Sequence, residues 1–130
     1  MPGIFAKIAA GEIPSFKIGE TKNCFAFLDI NPLTEGHVLV IPKNETDYLF
    51  DVEDGVYNEL MEFAKKVAKA IPHAVTCKRI GVAVVGLEVP HAHIHLIPIN
   101  SVSDMNFSKP KLSLPRERME EIAAKIASAI

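Results

Sequence analysis

From residue 91 to residue 95 every second position is histidine, and the positions between and after are apolar: His91-Ala92-His93-Ile94-His95-Leu96-Ile97-Pro98. A period of two belongs to an extended strand, whose alternate side chains leave on opposite faces. The segment therefore reads as a strand over 91–99, with three imidazoles on one face and Ala92, Ile94 and Leu96 turned to a core. Thr, Lys or Glu would serve as well to make a solvated sheet face. A row of imidazoles points instead to chemistry, because this side chain ordinarily titrates between pH 5 and 8. At ~3.3 Å per residue the Cα atoms of His91 and His95 stand about 13 Å apart, too far for one metal ion to be held by both ends and the middle. Acid–base or nucleophilic work fits the row better. One neutral ring attacks, a neighbour stabilises the developing charge, and a third orients the attacker. That is a recipe for phosphoryl or nucleotidyl transfer.

The rest of the chain supplies a frame for such a strand. Ile4-Phe5 and Ile8-Ala9 form a short apolar-periodic segment that closes at Gly11, which predicts a brief helix. Strands are expected over 16–21 and 24–30, turned by Lys22-Asn23, and over 37–41, where His37, Leu39 and Ile41 share a face. Between Asp51 and Ile71 the period changes. Val56, Leu60, Phe63, Ala64, Val67 and Ile71 recur at three- and four-residue spacing, so this is one long amphipathic helix. Asp51 and Asp54 stand where a cap and a first-turn acid would favour its start, and Pro72 stops it. A further strand over 78–85 leads through Gly86–Pro90 to the histidine strand. Residues 101–111 read as loop. Met119, Ile122, Ala123, Ile126 and Ala127 after Pro115 predict a C-terminal amphipathic helix. Five strands beside segregated helices indicate an α+β domain with a mainly antiparallel sheet, one long helix, a short N-terminal helix and a C-terminal helix.

Composition narrows the rest. At 130 residues the chain has the length of one ordinary domain, so 1–130 is expected to be a single unit whose residues 101–130 form a loop and terminal helix. Fourteen basic against sixteen acidic residues leave a formal charge of -2, which offers no field for holding a nucleic-acid polymer. No apolar run approaches the ~20 residues that span a bilayer, and Lys7 and Glu12 break the amino-terminal apolar stretch that a secretory signal would need. A cytoplasmic protein with no membrane role is expected. Cys24 and Cys77 form no Cys-x-x-Cys pair and read as free core thiols.

The run His91-Ala-His-Ile-His-Leu-Ile97 resembles the His-φ-His-φ-His-φ-φ motif of the histidine triad family. The resemblance covers most of residues 3–99 and takes in Ile4-Phe5-x-Lys7-Ile8, Gly11-Glu12-Ile13-Pro14, Phe27-x-Asp29-Ile30-x-Pro32 and Gly36-His37-x-x-Val40-Ile41-Pro42-Lys43. It implies a homodimer whose sheet is extended across the partner, and a cleft for a purine nucleoside monophosphate group. It also implies hydrolysis or transfer of a nucleotidyl group from a phosphoramidate, a dinucleoside polyphosphate or a related ester. On this resemblance His93 is the nucleophile that becomes nucleotidylated and His95 faces the α-phosphate, while His91 and His37 orient and polarise the attacking ring. Asp29 matches the ribose-binding acid, whose bland alternative is a turn residue before Asn31-Pro32. Phe5, Ile8, Phe27 and Ile30 match the apolar walls around the base.

Three departures from the family pattern stand out. Gly3-Ile4-Phe5-Ala6 replaces the Cys-x-x-Cys of many relatives, so no zinc or other cofactor is expected. In the loop before the triad, which with its Gly86 and Glu88 flanks the nucleotide site, Gly86 is kept, but Leu87 and Glu88 occupy the Gln and Ser/Thr positions. Pro90 precedes His91 and removes a backbone donor there. The alternatives to an active hydrolase are a catalytically weak nucleotide-binding module of the same fold and a metal-binding protein that uses two of the imidazoles. His73 matches nothing in the pattern and reads as a surface residue.

Overall fold

A computed structural model of the protein describes residues 3–130. Met1 and Pro2, at the start of the expected domain, lie outside the described residues. The elements run in the order α1 (Ile4–Ala9), β1 (Lys17–Glu20), β2 (Cys24–Leu28), β3 (Val38–Pro42), α2 (Asp54–Ala70), β4 (Arg79–Ala83), β5 (Ile94–Ile99) and α3 (Arg116–Ser128). Short 3-10 turns at Leu49–Asp51, Ile71–His73 and Val102–Met105 join them. The strands form one open sheet in the order β1-β2-β3-β5-β4, and every neighbouring pair is antiparallel. This is the expected α+β architecture. Among the described residues, no helix is long and apolar enough to cross a membrane.

Two apolar layers cover the sheet. On one face Ala26, Leu28, Val38, Val40, Ile94 and Leu96 pack under Leu60, Phe63, Ala64 and Val67 of α2. On the other, Phe25, Phe27, Leu39 and Ile41 meet Phe5 and Ile8 of α1. Every residue of β2 and β3 is buried, as expected for strands covered on both faces, whose sequences read as unbroken apolar runs. Helix α3 is no appendix to this frame: Met119, Ile122, Ala123 and Ile126 belong to the larger core.

The structure corrects the sequence reading in four respects. The long helix begins at Asp54 rather than Asp51, because the Glu53 carboxylate accepts the N–H groups of Gly55 at 2.9 Å and Val56 at 3.3 Å. Asp51 closes the preceding 3-10 turn. The second strand stops at Leu28, leaving Asp29 and Ile30 on the following loop, and the first and fourth strands are trimmed at both ends. Cys77 is half-buried rather than in the core, while Cys24 is fully buried; both are free thiols.

The fourth correction concerns the histidines: β5 begins at Ile94, so His91, Ala92 and His93 precede the strand. The pairing of Val40 with Ile94 would set Ala92 opposite Pro42, and Pro42 has no N–H to extend the ladder. Ala92 N–H turns instead to Thr46 O at 2.7 Å, and His91 N–H bonds Val89 O at 2.9 Å in the tight turn after Pro90.

Candidate active site

His95 is the triad member that strand alternation places. It pairs with Leu39 across β3 and β5, and Leu39 faces the α1 side of the sheet. His37 stands two residues before Leu39 and so shares that face. Its turn depends on Gly36, whose φ is +86° and whose absent Cβ would lie 2.9 Å from Val75 Cγ2. Few side chains adopt that backbone, and a Cβ there would force Val75 to shift. The four rings and Phe5 then gather. His93 lies 4.9 Å from His95 and 5.2 Å from Phe5, Phe5 lies 5.9 Å from His91, and His37 lies 5.2 Å from His95, all between ring centres. All four histidines are buried.

The hydrogen bonds assign a proton to each ring. Leu33 N–H donates to His37 Nδ1 at 3.0 Å, so that nitrogen carries the lone pair and Nε2 carries the proton. His37 Nε2–H therefore donates to His95 Nδ1 at 2.9 Å, which leaves the proton of His95 on Nε2. A carbonyl can only accept, so His93 Nδ1–H donates to His91 O at 2.6 Å, and the lone pair of neutral His93 resides on Nε2. His91 Nε2–H donates to Pro42 O at 2.7 Å. Its Nδ1 is buried and has no partner among the described residues, a cost of roughly 1–3 kcal/mol.

Two contacts implied by the resemblance are replaced. His91 holds His93 through its main-chain carbonyl rather than its ring, and His37 bonds to His95 rather than to His93. The result is one ring with a free lone pair next to one with a free N–H. Burial drives His37 down to about 3 and His95 to about 4, with the neighbouring rings and Lys111 adding to the effect. Burial also lowers His91, partly opposed by its bond to Pro42. At neutral pH His37 and His95 are thus neutral dipoles, and His95 offers a hydrogen bond without a charge.

Asp29 stands in the turn before Asn31-Pro32. One carboxylate oxygen accepts Asn31 N–H at 2.9 Å, closing the turn, and the other lies 3.7 Å from His37 Nε2. Burial raises its pKa, moderated by that backbone bond. Ligand atoms of Asp29, His37 and His95 lie within 4.8 Å of one another, a spacing open to a metal ion. His37 argues against it: its one lone pair is taken by Leu33 N–H, so Nε2 bears hydrogen and cannot ligate. The cluster works as a hydrogen-bond relay from the Leu33 amide to His95.

Phe5, Ile8 and Phe27 stand together as an apolar wall, Phe5 edge-on to Phe27 at 5.6 Å. Ile30 departs from them: it is 66% exposed and lines a cavity of about 350 Å³ with Phe16, Leu114 and Met119. Gly86 turns its loop with φ +71°. Beyond it Leu87 and Glu88 are exposed, and among the described residues Glu88 forms no hydrogen bond or ion pair. Val89 alone of that loop packs against the wall. His73 is exposed at the end of its 3-10 turn.

The sequence reading passed over Phe107. Its ring meets His95 edge-on at 4.9 Å, from a segment without periodicity. An isolated aromatic between polar residues was its only signal.

A buried imidazole with a free lone pair, a neutral imidazole donor and a carboxylate beside an aromatic wall form the arrangement that the histidine triad pattern leads one to expect. The chain belongs to the HIT, or histidine triad, family, whose HIT domain model matches residues 10–102. It is 33% identical over 132 residues to an adenosine 5'-monophosphoramidase of Schizosaccharomyces pombe, covering 100% of this chain and 99% of the relative. It is 35% identical over 135 residues to a HIT-like protein of Borreliella burgdorferi, covering 98% and 97%. The crystal structure of a Hit-like protein from Bartonella henselae superposes with a TM-score of 0.82 at 33% identity, covering 98% of this chain and 95% of that one.

Proposed function

We propose that this protein is a nucleotide hydrolase that cleaves adenosine 5'-phosphoramidate or a related purine nucleoside phosphate derivative through a nucleotidyl-His93 intermediate. The observation that carries this reading is the bond from His93 Nδ1–H to His91 O, which leaves the Nε2 lone pair beside the Nε2–H of His95. Nε2 attacks the α-phosphorus, a P–N bond forms, and the bond to the leaving amine breaks as that amine takes up a proton from solvent, to which the attacking water of the next step returns one. Water then attacks the same phosphorus, the P–Nε2 bond breaks, and the monophosphate leaves. His95 donates to a phosphate oxygen in both steps, and preorganised donors of this kind are the main source of rate in such reactions. Asp29 accepts from the ribose hydroxyls. Family membership and the resemblance to a monophosphoramidase support the reading.

The test is turnover of adenosine 5'-phosphoramidate with acid quench and intact-mass detection of an adenylylated protein. His93→Ala is expected to lose the adduct and about 10⁶ in rate while it still binds AMP, the scale seen when a covalent nucleophile is removed. A parent that binds AMP and never turns over is the weak binding module, a reading that the exposed Leu87-Glu88 loop favours.

The proposal includes a homodimer. The outer strand β4 leaves Val82 58% exposed, and Val85, two residues beyond its end, is 50% exposed; an open apolar edge invites a partner strand.

A further inference from the structure

The cleft that would take a nucleotide phosphate is poor in positive charge. His37 and His95 are neutral at pH 7, and Asp29 adds a carboxylate 3.7 Å from His37. A phosphate brought beside that carboxylate meets repulsion that a neutral N–H only partly offsets. A cation is needed at this place, and the loop at 86–90 offers none.

The chain supplies one from the other side. After β5 it passes the 3-10 turn at Val102–Met105 and folds back across the cleft. Leu112 N–H donates to Pro32 O at 2.8 Å, three residues beyond Asp29. Phe107 seats its edge against His95 at 4.9 Å and 73°. Lys111 Nζ lies 6.0 Å from the Phe107 ring centre and donates to the carbonyls of Phe107 and Lys109. An ammonium has three donors, so one remains free, on an exposed stem that can swing. The Lys111 charge also reaches Asp29, His37 and His95 and lowers all three. Both Phe107 and Lys111 lie beyond residue 102, where the HIT domain match ends.

We infer that Lys111 is a substrate-positioning residue, supplying the positive charge that holds the phosphate of a nucleotide in the His93–His95 cleft, with Phe107 as the prop that sets the 106–112 segment against His95. The inference rests on the nucleotide reading of the cleft. It assigns the site to ligands with an anionic phosphate group, and it gives the segment after β5 a part in specificity.

Calorimetric titration of AMP and of adenosine into the parent, Lys111→Met, Lys111→Arg and Phe107→Ala tests it, alongside turnover of adenosine 5'-phosphoramidate. Lys111→Met is expected to weaken AMP about 10- to 100-fold, the value of one charge-assisted hydrogen bond, and to leave adenosine unchanged. It should raise KM with little change in kcat and flatten the salt dependence of AMP binding. Lys111→Arg should restore most of the affinity, and Phe107→Ala should weaken AMP in the same direction. Equal AMP affinity in Lys111→Met, an equal loss for adenosine, or tighter AMP in Phe107→Ala, which would make Phe107 a plug, overturns the inference. Lys111-dependent AMP binding without turnover leaves the inference standing and removes the hydrolase reading. Turnover untouched in KM by Lys111→Met does the reverse, and a parent that binds no AMP removes both.

Discussion

Each histidine ring of the site is hydrogen-bonded and buried, and that burial has consequences in acid. Free histidine titrates near 6.5, whereas His37 and His95 are held at about 3 and about 4. Between those values and 6.5 the unfolded chain binds protons that the folded chain refuses. Stability is therefore complete above about pH 6.5 and falls as the pH drops through that window. At pH 5 each ring costs about 2 kcal/mol, or about 4 together. Asp29, raised by burial, acts in the opposite sense. Urea denaturation at pH 7 and pH 5 should show the loss; equal midpoints would mean that the rings ionise without unfolding. Asp29 itself should reveal its sugar contact. Asp29→Ala is expected to weaken AMP by about 1.5–3 kcal/mol, the worth of a hydrogen bond to a charged group, and 2'-deoxy-AMP by less. Equal losses would confine Asp29 to the turn at Asn31.

Among the elements, the two loops that flank the cleft differ in what they demand of sequence. The turn before His37 is built on Gly36 at φ +86° against Val75. Gly36→Ala should destabilise by about 1–3 kcal/mol from backbone strain, and more if Val75 cannot retreat. Thermal unfolding measures it. A loss of activity beyond the loss of folded protein would show the His37–His95 relay displaced. The loop at 86–90 demands less. Glu88 is exposed and pairs with nothing among the described residues, so Glu88→Ser should change kcat/KM and the pH profile by no more than about twofold, as for a solvated surface position. A larger rise at neutral pH would place the carboxylate at the phosphate. The strand reading of 91–99 was half legible for the same kind of reason. Alternation predicts His95, but Pro42 cannot pair with Ala92, and so His91 and His93 reach the cleft through a turn that no periodicity encodes.

At the scale of the whole molecule the sheet has two unlike edges. β1 carries a register irregularity between Lys17 and Gly19 and bears Lys17 and Glu20, an ion pair at 2.6 Å. Bulges and charges of this kind blunt an edge. β4 is the opposite, with Val82 open and Val84 and Val85 open just beyond its end. A homodimer formed across β4 should give a light-scattering mass of twice 14.2 kDa at micromolar concentration. Val82→Lys, which sets like charges close across a twofold axis, should shift it toward monomer. A mass of one chain for the parent would refute the pairing.

Periodicity is a local property, and what depends on it was legible in the residues alone. The apolar spacing of α2 and α3, the unbroken runs of β2 and β3 and the His-x-His-x-His alternation are each set by side chains within a turn or two of one another, so fold class, element order and family could be read from them. Contacts between distant segments carry no period. That Pro42 lies opposite Ala92, that His37 meets His95, that α3 closes the main core and that Phe107 returns to His95 all depend on contacts between segments a dozen to tens of residues apart. Burial and hydrogen-bond satisfaction choose among such contacts only once the sheet has formed. The tertiary structure therefore decided which nitrogen of each ring is free, and with it the chemistry open to the cleft.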